Sequence, residues 1–138
     1  MALVVQKVDY CYVNVPSRSG HGFRILSAVG EAGINLHAFT GFPVKRGVAQ
    51  LDLVTDDTRG LAKLAKAKEW KLSKVKSGFL VHGDDSIGAA LPPMEKLAKA
   101  KINVTAIDAV SAGNGRFGMI LWVNPKDYRR AAKALGAK

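Results

Sequence analysis

The apolar and polar positions of this chain fall into short blocks with two different periods. From Val8 to Val15 they alternate, with Cys11, Val13 and Val15 on one side, which is the period of a strand with one buried face. A stretch rich in Ser and Gly, Pro16 to His21, interrupts it. Gly22 to Ala32 then reads as a helix with Phe23, Leu26 and Val29 inward and Gly33 as its stop. Ile34 to Phe42 reads as a strand, Pro43 to Arg46 as a turn and Gly47 to Val54 as the next strand. Asp56 or Asp57 can cap a helix from Thr58 to about Lys68, with Leu61 and Leu64 inward.

The second half repeats the first. Phe79 to His82 is a strand, and Pro92 and Pro93 suit the first turn of the helix that follows. Ile102 to Val110 and Phe117 to Val123 are strands around the turn Ser111 to Arg116, and Asn124-Pro125-Lys126-Asp127 opens a helix to Leu135. Gly33-Ile34-Asn35-Leu36 matches Lys101-Ile102-Asn103-Val104 at an offset of 68 residues. The same offset pairs Phe23 with Leu91, Leu26 with Met94, Val29 with Leu97, Gly20 with Gly88, Val13 with Val81 and Cys11 with Phe79. One inserted residue then brings Val54 onto Val123.

Each copy is strand, helix, strand, strand, helix. The pattern predicts an α+β chain of two ferredoxin-like βαββαβ units, residues 1–76 and 77–138, each an antiparallel four-stranded sheet with helices on one face. The second copy stops at Lys138 just after its last helix, while Leu3 to Gln6 and Leu72 to Lys76 are extended runs outside the repeat. The expectation is an exchange of edges. Leu72 to Lys76 would close the first sheet on the Tyr10 to Val15 strand, and the edge strand at residues 3–6 would close the second on the Phe79 to His82 strand.

Composition narrows the classes. The chain has 138 residues, 48 % of them hydrophobic and 23 % charged, which is the make-up of a folded chain rather than a disordered one. The net charge of +10 falls wholly in residues 58–138, which hold 16 basic and six acidic side chains. Lys63, Lys66, Lys96, Lys99 and Lys133 recur at helical spacing, as the solvated faces of amphipathic helices or as a footprint for a polyanion. No run approaches the roughly 20 apolar residues of a membrane helix, and the start has no basic, apolar leader, so a cytoplasmic location away from membranes is expected.

Catalytic and metal chemistry find no support. The single cysteine, Cys11, excludes an internal disulfide and reads as a buried thiol. His21, His37 and His82 lack ligand spacing, so no metal and no cofactor is expected. Ser19-Gly20-His21 is not a nucleophile elbow, and no catalytic residue can be named; a non-enzyme is expected.

With Val-Pro-Ser-Arg-Ser-Gly-His-Gly-Phe at 15–23 and Ala-Gly-Ile-Asn-Leu at 32–36, the first copy resembles the ACT domain family. The second copy resembles it through Asp84-Asp85-Ser86-Ile87-Gly88 and Lys101-Ile102-Asn103-Val104. The resemblance covers nearly the whole chain as a tandem pair. It implies regulatory modules of ferredoxin fold that pair side by side and bind an amino acid or similar small effector at the junction. The family's Pro-Gly pair is split here into Pro16 and Gly20, the second copy has no proline there, and no attached enzyme domain is expected.

The candidate ligand residues follow from the loops. Ser17, Arg18, Ser19, Gly20, His21 and Gly22 run into a helix N-terminus, whose free N–H groups suit a carboxylate, with Arg18 adding a charge-assisted contact. Asn35 and Asn103, at matching strand starts, each offer a donor and an acceptor. In the second loop, whose candidates are Asp84, Asp85, Ser86 and Gly88, the two aspartates would repel an anion and suit an α-amino group. The expected function is non-catalytic binding of an amino-acid-like effector, passed on to an unidentified regulated protein.

The alternative is a nucleic-acid or polyanion-binding module using the Lys-rich helices of residues 58–138. The RNA-recognition motif shares this element order, yet Arg46-Gly47-Val48-Ala49-Gln50 lacks its stacking rings and Asn114-Gly115-Arg116-Phe117-Gly118-Met119 keeps only Phe117. Finally, Phe117 to Val123 has no polar residue, whereas Gln50 and Asp52 leave the matching strand of copy one wet or only partly buried on one face. That predicts a homodimer stacking helix-free sheet faces, with Ile120 and Trp122 at its centre.

Overall fold

The computed structural model describes residues 3–138; Met1 and Ala2, which the sequence reading includes in its first span, lie outside the described residues. The elements run β1 (Val4–Pro16), α1 (His21–Glu31), β2 (Ala38–Lys45), β3 (Val48–Val54), α2 (Thr58–Lys68), β4 (Lys76–Asp84), α3 (Leu91–Lys99), β5 (Val104–Gly113), β6 (Arg116–Val123), a 3-10 turn (Pro125–Asp127) and α4 (Tyr128–Leu135). The fold is α+β, with antiparallel strand pairs and four helices. It divides into Asp9–Lys76 and a second unit made of Ser77–Lys138 with the start of the chain up to Val8.

In the first unit the strand order is β2-β3-β1. The register runs from Tyr10↔Val54 to Pro16↔Val48 on one side of β3 and from Ala38↔Val54 to Lys45↔Val48 on the other. Cys11, Val13, Leu51 and Leu53 point to the core, where they meet Ile25, Val29 and Leu61 from the two helices. Asp57 caps α2 by accepting the Gly60 N–H at 2.9 Å, and Lys66 and Lys68 complement the negative end of that helix. Its bounds match the sequence reading.

α1 turns a different face inward from the expected one. Ile25, Ala28 and Val29 are buried, whereas Phe23 is 78 % exposed and Leu26 lies at the surface. The cause is geometric. Steps of three residues slip about 60° each on a helix of 3.6 residues per turn, so Phe23 and Val29 stand about 120° apart. Ile25, Ala28 and Val29, at i, i+3 and i+4, form the tighter stripe. Pro93 and Leu97, the counterparts of Ile25 and Val29, are buried in the second unit, and Leu91, the counterpart of Phe23, is exposed.

β2 begins later than expected. Ile34 gives its N–H to Val29 O, and the Asn35 carbonyl accepts the Thr55 hydroxyl, so this run is tied to helix and loop rather than to a ladder. Pro43 lies inside β2, as an edge strand permits, with a register shift between Pro43 and Lys45. Leu72 to Val75 is not a regular strand. Ser73 gives its N–H to Tyr12 O at 2.9 Å, but the Tyr12 N–H goes to Ser73 Oγ at 2.8 Å, a hydroxyl in place of a backbone carbonyl.

In the second unit the order is β1-β4-β6-β5. Phe79 and Val81 of β4 and Phe117, Met119, Leu121 and Val123 of β6 face Leu97, Ala131 and Leu135 of the helices. Leu3 and Val5 pack on this core, and Val5 and Lys7 bond the Lys138 backbone at 3.1 Å each. Asn124 opens the last helical segment by accepting the Lys126 N–H. Phe79 and Tyr128 stack with centroids 4.6 Å apart, and the Tyr128 hydroxyl donates to Gly78 O.

The expected dimer anchors are not open surface. Ile120 and Trp122 are each only 6 % exposed within a single chain. The Trp122 ring lies over Gly78, where an added Cβ would come within 3.1 Å of its Cδ1. Likewise Asp52, expected on a wet or partly buried face, is 4 % exposed. Among the described residues no helix is long and apolar enough to cross a membrane.

The assignment of the α1 face has a direct check. Ile25→Ala should cost about 2–5 kcal/mol in urea unfolding, as for other large-to-small core changes. Phe23→Ser should stay within about 0.5 kcal/mol of wild type, as an exposed substitution does.

Candidate ligand-binding site

At the end of β1 the chain makes a tight turn. Ser17 donates its N–H to Gly47 O at 2.9 Å and Arg18 to Pro16 O at 2.8 Å. Gly20 follows with φ 94°, a left-handed conformation that costs glycine little, and α1 starts at the next residue. No side chain caps this helix, and its first turn carries no acidic residue. The first-turn N–H groups therefore meet neither a capping oxygen nor a carboxylate on their own helix. Ser17, Arg18, Ser19, His21 and Gly22 surround an open depression of about 290 Å³ whose floor is Val15, Ala49 and Leu51. Five of the predicted residues thus line one depression, and Gly20 shapes the turn that leads into it.

Asn35 does not join them. It sits by Thr55 at the other end of the sheet, whereas Ser17 sits by Gly47. The six steps of β3 between Val48 and Val54 separate these ends by about 20 Å. Asn103 is displaced in the same way from the second loop. Val104 pairs with Val123, and Asp84 with Arg116, at opposite ends of β6. Asn103 instead borders a shallow groove with Met94, Ala98 and Ile107.

The second loop is occupied by its own contacts. Arg116 Nη1 bonds Asp84 Oδ1 at 3.2 Å, and its Nη2 lies 3.5 Å from His82 Nδ1. Asp85 Oδ2 accepts the Ser111 hydroxyl, and the Asp85 N–H goes to Gly115 O. Ser86 O accepts the Ala89 N–H, and Gly88, at φ 76°, accepts from Leu91. Both carboxylates expected to greet an ammonium are engaged by the β5–β6 hairpin.

One group of polar residues in the first unit was not singled out as a site. Asp52 of β3 faces Tyr12 and Thr40 in register and accepts Gln50 Nε2 at 2.9 Å. Burial pushes its carboxyl above the usual range; the bond from Gln50, the nearby Thr40 hydroxyl and the Lys76 ammonium pull it partly back. Tyr10 is pushed up to about 12, first by burial and then by Asp52 and Tyr12. Cys11 is raised by burial and then by Asp9, against a bond from Ser73, so its thiol stays protonated and unreactive at neutral pH. The signal for this cluster was Gln50 and Asp52 alternating with leucines. Among the described residues no three His, Cys, Asp or Glu gather as metal ligands, although His37 Nε2 lies 2.9 Å from Asp56.

No protein-family model and no curated protein matches this chain. Solved structures do. A protein from Bacteroides thetaiotaomicron superposes with a TM-score of 0.76 at 14 % identity, over 97 % of this chain and 88 % of that one. The regulatory subunit of aspartate kinase from Thermus thermophilus, in its ligand-free form, gives 0.64 at 13 % identity, over 98 % and 93 %. A structure of aspartokinase alpha and beta subunits gives 0.61 at 16 % identity, over 98 % and 95 %. The chain therefore shares its fold with an aspartate kinase regulatory subunit along nearly its whole length.

The buried carboxylate makes a signed prediction. Asp52 holds its proton in the folded state at pH values where the unfolded chain has lost it. Its contribution therefore turns unfavourable as pH rises from about 4 through its raised value. Asp52→Asn keeps the acceptor for Gln50 and should be more stable than wild type at pH 7. That advantage should shrink towards pH 4 in urea titrations.

Proposed function

We propose that this chain is a non-catalytic regulatory module of the ACT type that binds a small amino-acid-like carboxylate at the Pro16–Gly22 loop and signals to a protein partner. One observation carries the reading: an uncapped helix N-terminus, Arg18 and two serine hydroxyls converge on one depression with no acidic side chain among its lining residues. A carboxylate would take the first-turn N–H groups and the guanidinium. The ammonium of an amino acid would be left to Ser17, Ser19 and backbone carbonyls. The shared fold with an aspartate kinase regulatory subunit supports regulation over catalysis.

In this reading the chain is a tandem pair of units. Residues 3–6 and 72–76 serve as the exchanged edges, and a homodimer forms through a surface other than Ile120 and Trp122. The two loops are unequal. The first is open to an anion, while the second has spent Asp84 and Asp85 on Arg116 and Ser111. The RNA-recognition alternative loses ground on the sheet itself, where Asp52 is a buried carboxylate and Trp122 offers no exposed ring for stacking. The lysines of α2, α3 and α4 are exposed, so a polyanion could dock on the helices alone.

A thermal-shift screen of the amino acids on the purified chain tests this. A ligand at 100 times its dissociation constant should add about 2.7 kcal/mol of stability. Arg18→Ala should weaken that ligand about tenfold while leaving the unliganded melting temperature unchanged. A chain that no amino acid stabilises, but that binds DNA or RNA with steep salt dependence, overturns the proposal.

A further inference from the structure

The two units differ at one position that the same helix-cap geometry makes equivalent. α2 and α4 both end in left-handed caps, Glu69 at φ 59° and Gly136 at φ 65°. In each case the next N–H returns to the helix: Trp70 to Ala65 O and Ala137 to Ala132 O, both at 2.9 Å. Trp70 and Ala137 are therefore structural counterparts. Trp70 lays its indole on the core of the first unit, whereas Ala137 brings only a methyl group to the core of the second. In the second unit a cavity of about 260 Å³ opens here, lined by Leu3, Val5, Pro92, Pro93, Lys96 and Leu135, with Gly136 in its wall. An enclosed apolar cavity of roughly 150 Å³ is enough to hold benzene.

We propose that this cavity binds an aromatic monocarboxylate, with its ring filling the room that the Trp70 indole takes up in the first unit and its carboxylate meeting Lys96 Nζ. The lining dictates that class. Five of the lining residues are leucine, valine or proline, and Pro92 and Pro93 have no N–H to offer a polar ligand. Among the described residues Lys96 is the one charged residue in the lining. Glu95 reaches Lys99 at 3.4 Å, which leaves Lys96 without a carboxylate partner among the described residues. At the repeat offset Lys96 corresponds to Ala28, which is buried in the first unit, so the first unit has no cation at the equivalent position. Among the described residues no acidic side chain lines the cavity to hold an ammonium, so the ligand is an acid without an α-amino group. The site is separate from the Pro16–Gly22 loop and does not depend on how that loop is read.

Calorimetry and amide NMR on the full chain test this with indole-3-acetate and, as the neutral probe, 3-methylindole. Indole-3-acetate should bind saturably and shift the amides of residues 94–96 and 135–137. Lys96→Gln should weaken it about tenfold, the loss of one charge-assisted bond, while 3-methylindole binding stays unchanged. Ala137→Trp should fill the cavity and abolish binding of both. The proposal is overturned if wild type shows no saturable binding, if the shifted amides are those of residues 17–22, or if Lys96→Gln binds both probes as wild type does. The Lys96 arm is a surface change and decides the matter even if Ala137→Trp fails to fold.

Discussion

Every backbone N–H and C=O of a strand has to find a partner, and that obligation organises this chain around β1. Along Tyr10 to Pro16 the strand pairs with β3, and its Tyr12 peptide group is met by Ser73. Over its first residues the same strand belongs to the other unit, where Val5 and Lys7 bond Lys138 and where Leu3 and Val5 pack on a core built from β4, β6 and two helices. One strand thus supplies structure to both repeats. The apolar pattern of each copy then completes its own core, Cys11, Val13 and Leu53 with α1 and α2 in one, Phe79, Val81 and Leu121 with α3 and α4 in the other.

Much of this was legible in the sequence, because it depends on local chemistry. Asp57, a run of Ala and Leu, and two lysines at the end place α2 over Thr58–Lys68 without reference to the rest of the chain. The 68-residue offset holds in the buried pairs Cys11 and Phe79, Val13 and Val81, Val29 and Leu97. What was not legible depends on which of two competing patterns tertiary packing selects. α1 carries two overlapping apolar stripes, and the Ile25 stripe wins because Ile34 returns to pack beside Val29. Asp52 looked like a mark of solvent and is buried instead, with Gln50 donating to one of its oxygens. Trp122 looked like an interface anchor, but the absent side chain of Gly78 gives its ring a seat inside its own unit.

The candidate site divides along the same line. Ser17 to Gly22 is contiguous, so its gathering at one helix start could be foreseen. Asn35 and Asn103 belong to a sequence motif that an entire strand length separates from the loop of the same unit. The partners of Asp84 and Asp85 come from a hairpin some 30 residues further on, and no local pattern names Arg116 and Ser111 as the groups that occupy them. Two loops that align in sequence therefore differ in chemistry. One presents a cation and free N–H groups, the other a closed ion pair. Cys11 and Tyr10 are buried and stay protonated at neutral pH.

The central claim is that an anionic effector enters the first loop and not the second. Two-dimensional amide NMR of the full chain, titrated with the amino acid that stabilises it most, tests this directly. Saturable shifts at residues 17–22, with residues 84–90 unmoved, are the expected result. Shifts confined to residues 84–90, or a bound amino acid that leaves the amides of 17–22 unchanged, would contradict the account.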